Sequence, residues 1–437
     1  MKKFNSRGCF RTLIELLFNG NLVYTLKFTS SHFTITYTWF SPGSVTGSVL
    51  LVAGTTVGAG ILAIPAVTQE SGFLAAAVTC ILCWIYMVVT GLLIAEVNVK
   101  TMCELGSGGV SSVSMATRTL GQLEFRLLVP LSYCSWSYIF IHYALLVAYV
   151  ARSSDILTDI LAFQWECALL FSLLFGSICY FGSQQLIGAV NGVLVLGIII
   201  SFAALVAAAG RDLHWDALLK TNLQAIPASI PIIALSFVYQ NVVPVLCTNL
   251  EGDLPKIRSS IILGTAIPLG LFLIWNAVIL GTIETTGTDK IADPLQALQA
   301  TNGVVGPIVG AFSLLAIATS YIGFVLGLSD FLSDLLKLPS DKNRPLPYIL
   351  TVFPPLILSL LDPDIFFKAL DFAGTYGVLV LFGVLPAAMA WSDRYSSSSL
   401  SSNIPELVPG GRFTLSLVIG GAGYVIVSEL LDSFMHK

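Results

Sequence analysis

The chain has 437 residues, of which 55% are hydrophobic and only 11% charged, with a formal net charge of −4 and a mean hydropathy of +0.86. A soluble domain carries roughly 25% charged residues, so this composition excludes a soluble globular protein. It describes an all-α polytopic membrane protein with no separate soluble domain, and it gives no electrostatic reason to bind nucleic acid.

Residues 1–44 carry Lys2, Lys3, Arg7, Arg11 and Lys27 against a single acid, Glu15, and are rich in Ser and Thr. Basic, hydroxylated and acid-poor is the composition of an organelle transit peptide, which points to a chloroplast envelope; an untargeted tail has the same composition. The apolar stretch 12–26 is interrupted by Glu15, Asn19 and Asn21 and is not expected to span a membrane.

The first span, 47–70, reads GSVLLVAGTTVGAGILAIPAVTQE. An apolar helix meets Gly58-Ala59-Gly60 halfway, resumes as Ile61-Leu62-Ala63-Ile64 and then reaches Pro65. Glycine is a weak helix former, so residues 58–60 are expected to unwind and free the N–H groups of the following half-helix. Unpaired backbone groups in hydrocarbon each cost roughly several kcal/mol, so such a break must be buried in protein or line a watery cavity. A half-helix N-terminus at the midplane is suited to a carboxylate. Gly54-x-x-x-Gly58 equally fits a close-packing motif that needs no ligand.

Further spans are predicted at about 72–97, 125–151, 166–183, 186–209, 228–250, 258–282, 304–333, 346–361, 366–391 and 413–431, making eleven. The segment 346–361 is short and contains Pro354-Pro355. With the N-terminus inside, the inner joints collect ten Lys and Arg, fifteen with the tail, against six outside, which sets the orientation. Of eight cysteines, Cys80-x-x-Cys83 lies inside an apolar span with no second pair or histidine at ligand spacing, so these read as small core residues and no metal site is expected.

The sixth span, SIPIIALSFVYQNVVPVLCTNL at 229–250, holds the second interruption. Gln240 and Asn241 sit at its middle, and Pro244 lacks an N–H and clashes one turn back, so the helix is expected to break at about 239–243. The bland alternative is a proline kink lined with amides. Five spans separate the two breaks, and an odd number reverses direction, so two five-helix units would be related by inversion, the pattern of a transporter with its site at the paired breaks.

The residues at both breaks resemble the hydroxy/aromatic amino acid permease family, also called the tryptophan/tyrosine permease family, and look closest to its plant members. The carriers are 54–65, Ser236-Phe237-Val238-Tyr239-Gln240-Asn241-Val242-Val243-Pro244, and Leu250-Glu251-Gly252-Asp253 with Lys256 and Arg258. The resemblance implies a LeuT-like five-plus-five inverted repeat with an additional eleventh helix, and secondary active transport of an amino acid with no cofactor.

An amino acid brings a carboxylate, an ammonium and a side chain. Backbone N–H groups at Gly58, Ala59 and Gly60, with the hydroxyls of Thr55 and Thr56, are placed for the carboxylate; carbonyls near 237–239 are placed for the ammonium. Tyr143 of span three, near Tyr138 and His142, together with Phe237 and Tyr239, would wall an aromatic side chain, although aromatics facing lipid or core are common. Ala316, Thr319 and Ser320 look like the carbonyl and hydroxyl set that LeuT-like carriers use for sodium, whereas the resembled family implies proton coupling, with His142 as the group that can titrate. Among charges inside spans, Glu96 is expected to snorkel or pair with Lys100, and Asp371 to be either a gate element or solvated rim. Glu251, Asp253, Lys256 and Arg258 read as a loop network. An enzyme is disfavoured: the four histidines, at 32, 142, 214 and 436, form no HExxH, and no phosphate-binding glycine loop is present. A channel would want charge rings or carbonyl filters, and saturable counter-exchange separates it from a carrier.

Overall fold

The computed structural model describes residues 44–58, 60–106, 110, 112–120, 128–161, 165–209, 214–219, 221–282, 305–336, 345–362, 365–395 and 405–435. The N-terminal targeting expectation and Ala59 lie outside them. Every regular element among the described residues is helical.

The chain enters α1 (Val45–Thr56) through Ser44, whose hydroxyl accepts from the Gly47 N–H at 3.3 Å and so caps the helix. After the first break comes α2 (Gly60–Thr68), which runs through Pro65; only the bond to the carbonyl one turn back is lost there, so the helix continues. Then α3 (Phe73–Leu105) ends at Gly106, whose φ of 64° supplies the left-handed cap. The short α4 (Ser112–Leu120) leads to α5 (Leu128–Leu161), α6 (Trp165–Phe181) and α7 (Gln184–Ala209).

Beyond a four-residue helix α8 (Trp215–Leu218), the second broken span consists of α9 (Ile230–Ser236) and α10 (Val243–Asn249). Long helices α11 (Leu254–Thr282) and α12 (Val305–Leu335) and the shorter α13 (Pro345–Leu361) follow. The next span is α14 (Ile365–Phe372), a π-helical stretch Ala373–Val384 and α15 (Leu385–Tyr395); α16 (Gly411–Met435) is last.

Among the described residues, eight helices are long and apolar enough to cross a membrane, and α1 with α2, bent by 53°, make a ninth as a pair. The spans predicted at 166–183 and 346–361 are helices of 17 residues each, at the short limit of roughly 17 to 25 for a crossing. Exposed apolar side chains such as Leu82, Phe181 and Ile200 lie on helix flanks, as lipid contact requires. Two packing groups emerge: α1, α2, α3, α9, α10 and α11 in one, and α5, α6, α7, α12 and α13 in the other. The span from α14 to α15 touches both, reaching α9 and α3 on one side and α5 on the other. Buried rings fill the interior, among them Trp275 stacked on Phe312 with centroids 4.3 Å apart.

Candidate functional site: two interrupted helices side by side

At the first break, the Val57 N–H still reaches the Ala53 carbonyl at 2.9 Å, and the next bond is a tighter one, from the Ile61 N–H to the Gly58 carbonyl at 3.3 Å. Both glycines are closely approached. A Cβ on Gly58 would lie 2.9 Å from the Ser320 hydroxyl of α12, and one on Gly60 would lie 2.7 Å from the Ser236 hydroxyl and 2.9 Å from the Ser236 Cα. The structure thus places the first break against the end of α9 and against α12, one helix from each packing group. Thr56 is buried and Thr55 exposed; each hydroxyl donates back to its own helix, Thr56 to the Val52 carbonyl at 2.8 Å and Thr55 to the Leu51 carbonyl.

At the second break, α9 ends at Ser236, and the Phe237 and Val238 N–H groups bond the carbonyls of Ala234 and Leu235 at 3.0 and 3.2 Å. The unwinding starts a few residues before the expected 239–243. Pro244 falls in the first turn of α10, where a missing N–H costs nothing. Gln240, buried at 1% exposure, closes the gap: its carbonyl accepts from the Tyr239 N–H at 3.0 Å, and its amide donates to the Met87 carbonyl at 3.3 Å and the Thr90 hydroxyl at 3.2 Å. A side chain does here what water would do outside a membrane.

The aromatic candidates go to different neighbours. Phe237 packs on Phe272 of α11 with centroids 5.0 Å apart, and Tyr239 is fully buried, its hydroxyl donating to the Met87 carbonyl at 3.0 Å beside Gly91. The Tyr143 hydroxyl donates to the Leu350 carbonyl of α13 at 2.7 Å, on the side of α5 that faces that helix. His142 is buried between Tyr138 and Phe324, with ring centroids 3.9 and 4.9 Å away. Its Nδ1 lies 2.8 Å from the Tyr138 carbonyl, and since a carbonyl only accepts, Nδ1 carries the proton and Nε2 faces Gly327. Thr319 and Ser320 both donate to the Ala316 carbonyl, at 2.9 and 3.0 Å.

Outside the breaks, Glu96 pairs with Lys100 at 3.4 Å, as the i,i+4 spacing suggested, but its main partner lies 298 residues away. Arg394 grips it with Nε at 2.8 Å and Nη2 at 2.6 Å, and the Leu407 N–H adds a third donor at 2.9 Å. Lys100 and Arg118 in turn hold Asp393 at 3.0 and 2.7 Å, so α3, α4 and α15 share one buried ionic cluster. In the predicted loop network the pair present among the described residues is Asp253 with Lys256 at 2.9 Å, and that contact holds the Asp253 carboxyl below its ordinary range. Asp371 is half-buried on α14. Ser236 and Gln240 are the residues that reading the sequence did not single out for the site; their position inside the second break was the available signal. No group of three or more His, Cys, Asp or Glu that could hold a metal occurs among the described residues.

These features define a multi-pass helical membrane protein whose two interrupted helices meet face to face. The chain belongs to the tryptophan/tyrosine permease family, whose sequence pattern matches residues 42–429. It is 30% identical over 405 residues to the tyrosine-specific transport system 2 of Haemophilus influenzae, an alignment covering 85% of this chain and 93% of that protein. The tryptophan-specific transport protein of the same organism is 25% identical over 411 residues, covering 86% and 93%. Glutamine transporter 2 of Aliivibrio fischeri is 25% identical over 399 residues, covering 88% and 98%.

Proposed function

We propose that the protein is a secondary active transporter, a symporter that moves a free amino acid, tyrosine or tryptophan first, together with protons. The observation that carries this reading is the contact of Gly60 with Ser236, which sets the two helix breaks side by side inside the protein. Backbone groups freed from two helices at one place form a site for a zwitterion: N–H groups at Gly58 and Gly60 for the carboxylate, and carbonyls around Phe237 for the ammonium, with Thr55 and Thr56 in the turn before the break, their hydroxyls bonded to their own helix. The division into two packing groups with a broken helix pair in one of them is in keeping with a LeuT-like five-plus-five inverted repeat and an eleventh helix. Phe237 and Tyr239 belong to the second break itself and back the site there, whereas Tyr143 is turned to α13. Relatives named for tyrosine and tryptophan support an aromatic substrate, and a relative named for glutamine marks the first alternative.

The second reading is sodium coupling. It is favoured by the Thr319 and Ser320 hydroxyls converging on the Ala316 carbonyl, with Ser320 also against Gly58, a set of hard oxygens beside the first break. Purified protein in liposomes, offered labelled amino acids under a pH gradient without sodium or a sodium gradient at equal pH, tests both. Accumulation of tyrosine or tryptophan with the pH gradient supports the proposal. Accumulation only with sodium, lost in Thr319→Val, moves coupling to Thr319 and Ser320; no accumulation of any amino acid overturns the transporter reading.

A further inference from the structure

The span running from α14 to α15 carries polar groups that the two breaks do not use. Nine threonines are buried at less than a tenth exposure among the described residues, and eight of them donate to a backbone carbonyl three or four residues back: Thr68 to Ile64 and Thr351 to Pro347 are examples. The ninth, Thr375, is 1% exposed, and its hydroxyl has no partner among the described residues. It lies in the π-helical stretch, where the wider winding commits carbonyls one residue further along, and such windings in helices frequently occur at functional sites. One turn earlier stands Asp371, half-buried in the span, which makes no hydrogen bond or ion pair among the described residues. Between them Gly374 packs so closely on the Pro231 carbonyl of α9 that a Cβ there would overlap it.

An uncompensated carboxylate at membrane depth is expensive, and the two ways to neutralise it are a proton or a cation. Among the described residues no cation lies within ion-pair distance of the Asp371 carboxylate, although Arg152 of α5 stands against the same helix. The sequence of α9 contains no charged residue; on α14 itself Lys368 is bound to Asp362 at 3.1 Å. Along α5, Arg152 is spread over the Phe366 ring at 5.5 Å, with Asp155 one turn on; the other titratable residues in the sequence of α5 are Tyr133, Cys134, Tyr138, His142, Tyr143, Tyr149 and Asp159. From α3 and α16 come Tyr86, whose hydroxyl donates to the Val418 carbonyl at 3.1 Å, Tyr424 and Glu429, and from the stretch itself Tyr376. His142, by contrast with Asp371, has one ring nitrogen already committed to its own helix.

We propose that Asp371, with Thr375 four residues on along the same span, is the site at which the coupling proton is taken up and released. The inference rests on the proton-symport reading above and names the group that carries the proton. When Asp371 is ionised, the buried Thr375 hydroxyl is a donor with no other bond to give up; when it is protonated, the charge is gone and the contact of this span with α9, half of the second break, becomes an uncharged one. Binding of the proton on this span is thereby linked to the packing of a substrate-site helix.

The test is Asp371→Asn in proteoliposomes, since the amide keeps the shape of the protonated acid and cannot titrate. Wild type is measured alongside for accumulation under a pH gradient, for exchange of internal unlabelled against external labelled substrate, and for substrate-induced acidification of the lumen with a trapped pH dye. The variant is expected to lose gradient-driven accumulation and lumen acidification while keeping exchange; Thr375→Val is expected to keep exchange and to accumulate less than wild type. Accumulation and acidification at wild-type levels in Asp371→Asn would overturn the proposal. So would loss of exchange together with accumulation in an Asp371→Asn protein that elutes as a single folded species, because Asp371 would then serve substrate binding or packing. Wild type that accumulates substrate with sodium alone removes the proton reading itself, and that outcome is seen before any variant is made.

Discussion

The two helix breaks solve one problem by opposite means. At the first, the chain opens because its residues are small: Gly58 and Gly60 leave room that Ser320 and Ser236 enter from neighbouring helices. At the second, bulky residues are held open by side chains, with Gln240 capping the Tyr239 N–H and Tyr239 anchored on α3. The difference teaches that a break can be held open from outside, by neighbouring side chains filling the room that glycine leaves, or from within, by the break's own side chains replacing the lost backbone bonds.

The sharpest way to break this comparison is Gly60→Leu. Its side chain would have to displace the Ser236 backbone, and overpacking of that kind costs about 1–3 kcal/mol or more. Uptake is expected to be abolished and folded protein, read by size-exclusion chromatography in detergent, to fall. Gly58→Ala separates ligand from fold, since its methyl meets only the end of the Ser320 side chain, which can rotate: monodisperse protein with weakened substrate affinity is the expected result, and unchanged affinity would argue against a carboxylate at this backbone.

At the second break, Gln240→Leu removes the acceptor of a buried N–H. A loss of about 1–3 kcal/mol, seen as a lower melting temperature in detergent, is expected. Substrate contacts at the first break should survive in the protein that remains folded. A melting temperature equal to wild type would show that the second break does not depend on its side-chain cap. The smallest effect is assigned to Thr55→Val and Thr56→Val, whose hydroxyls already bond their own helix. Changes in substrate affinity within about threefold, or roughly 0.6 kcal/mol, are expected, and a tenfold loss in either would place that hydroxyl on the substrate.

Much of this arrangement was legible in the sequence because a membrane helix announces itself by composition. Long apolar windows gave the long helical spans, though not the short α4 and α8, and glycine and proline pointed to both breaks. What could not be read was partnership at a distance. Gln240 could be seen as an amide at mid-span, but not that its two ends would serve Tyr239 and α3. Glu96 offered a neighbour at Lys100, while Arg394, its bidentate partner, lies on another helix altogether. Tyr143 was placed on the correct span, and only the packing of α5 against α13 turns its hydroxyl to Leu350. The π winding of 373–384 left no mark either, since Ala, Gly, Val and Leu suit an ordinary helix as well.

The ionic cluster around Glu96 has a mechanical meaning for the span that ends in it. Arg394 is 3% exposed at its side chain and Glu96 is wholly buried, so releasing either would strand a charge at a cost of about 3–5 kcal/mol. That end of the span is therefore clamped to α3, while the stretch before it, wound with more residues per turn, packs against α9, α5 and α16. The clamp thus fixes the register of the span against α3: sliding it along the bundle by even one residue would pull the guanidinium off the buried carboxylate.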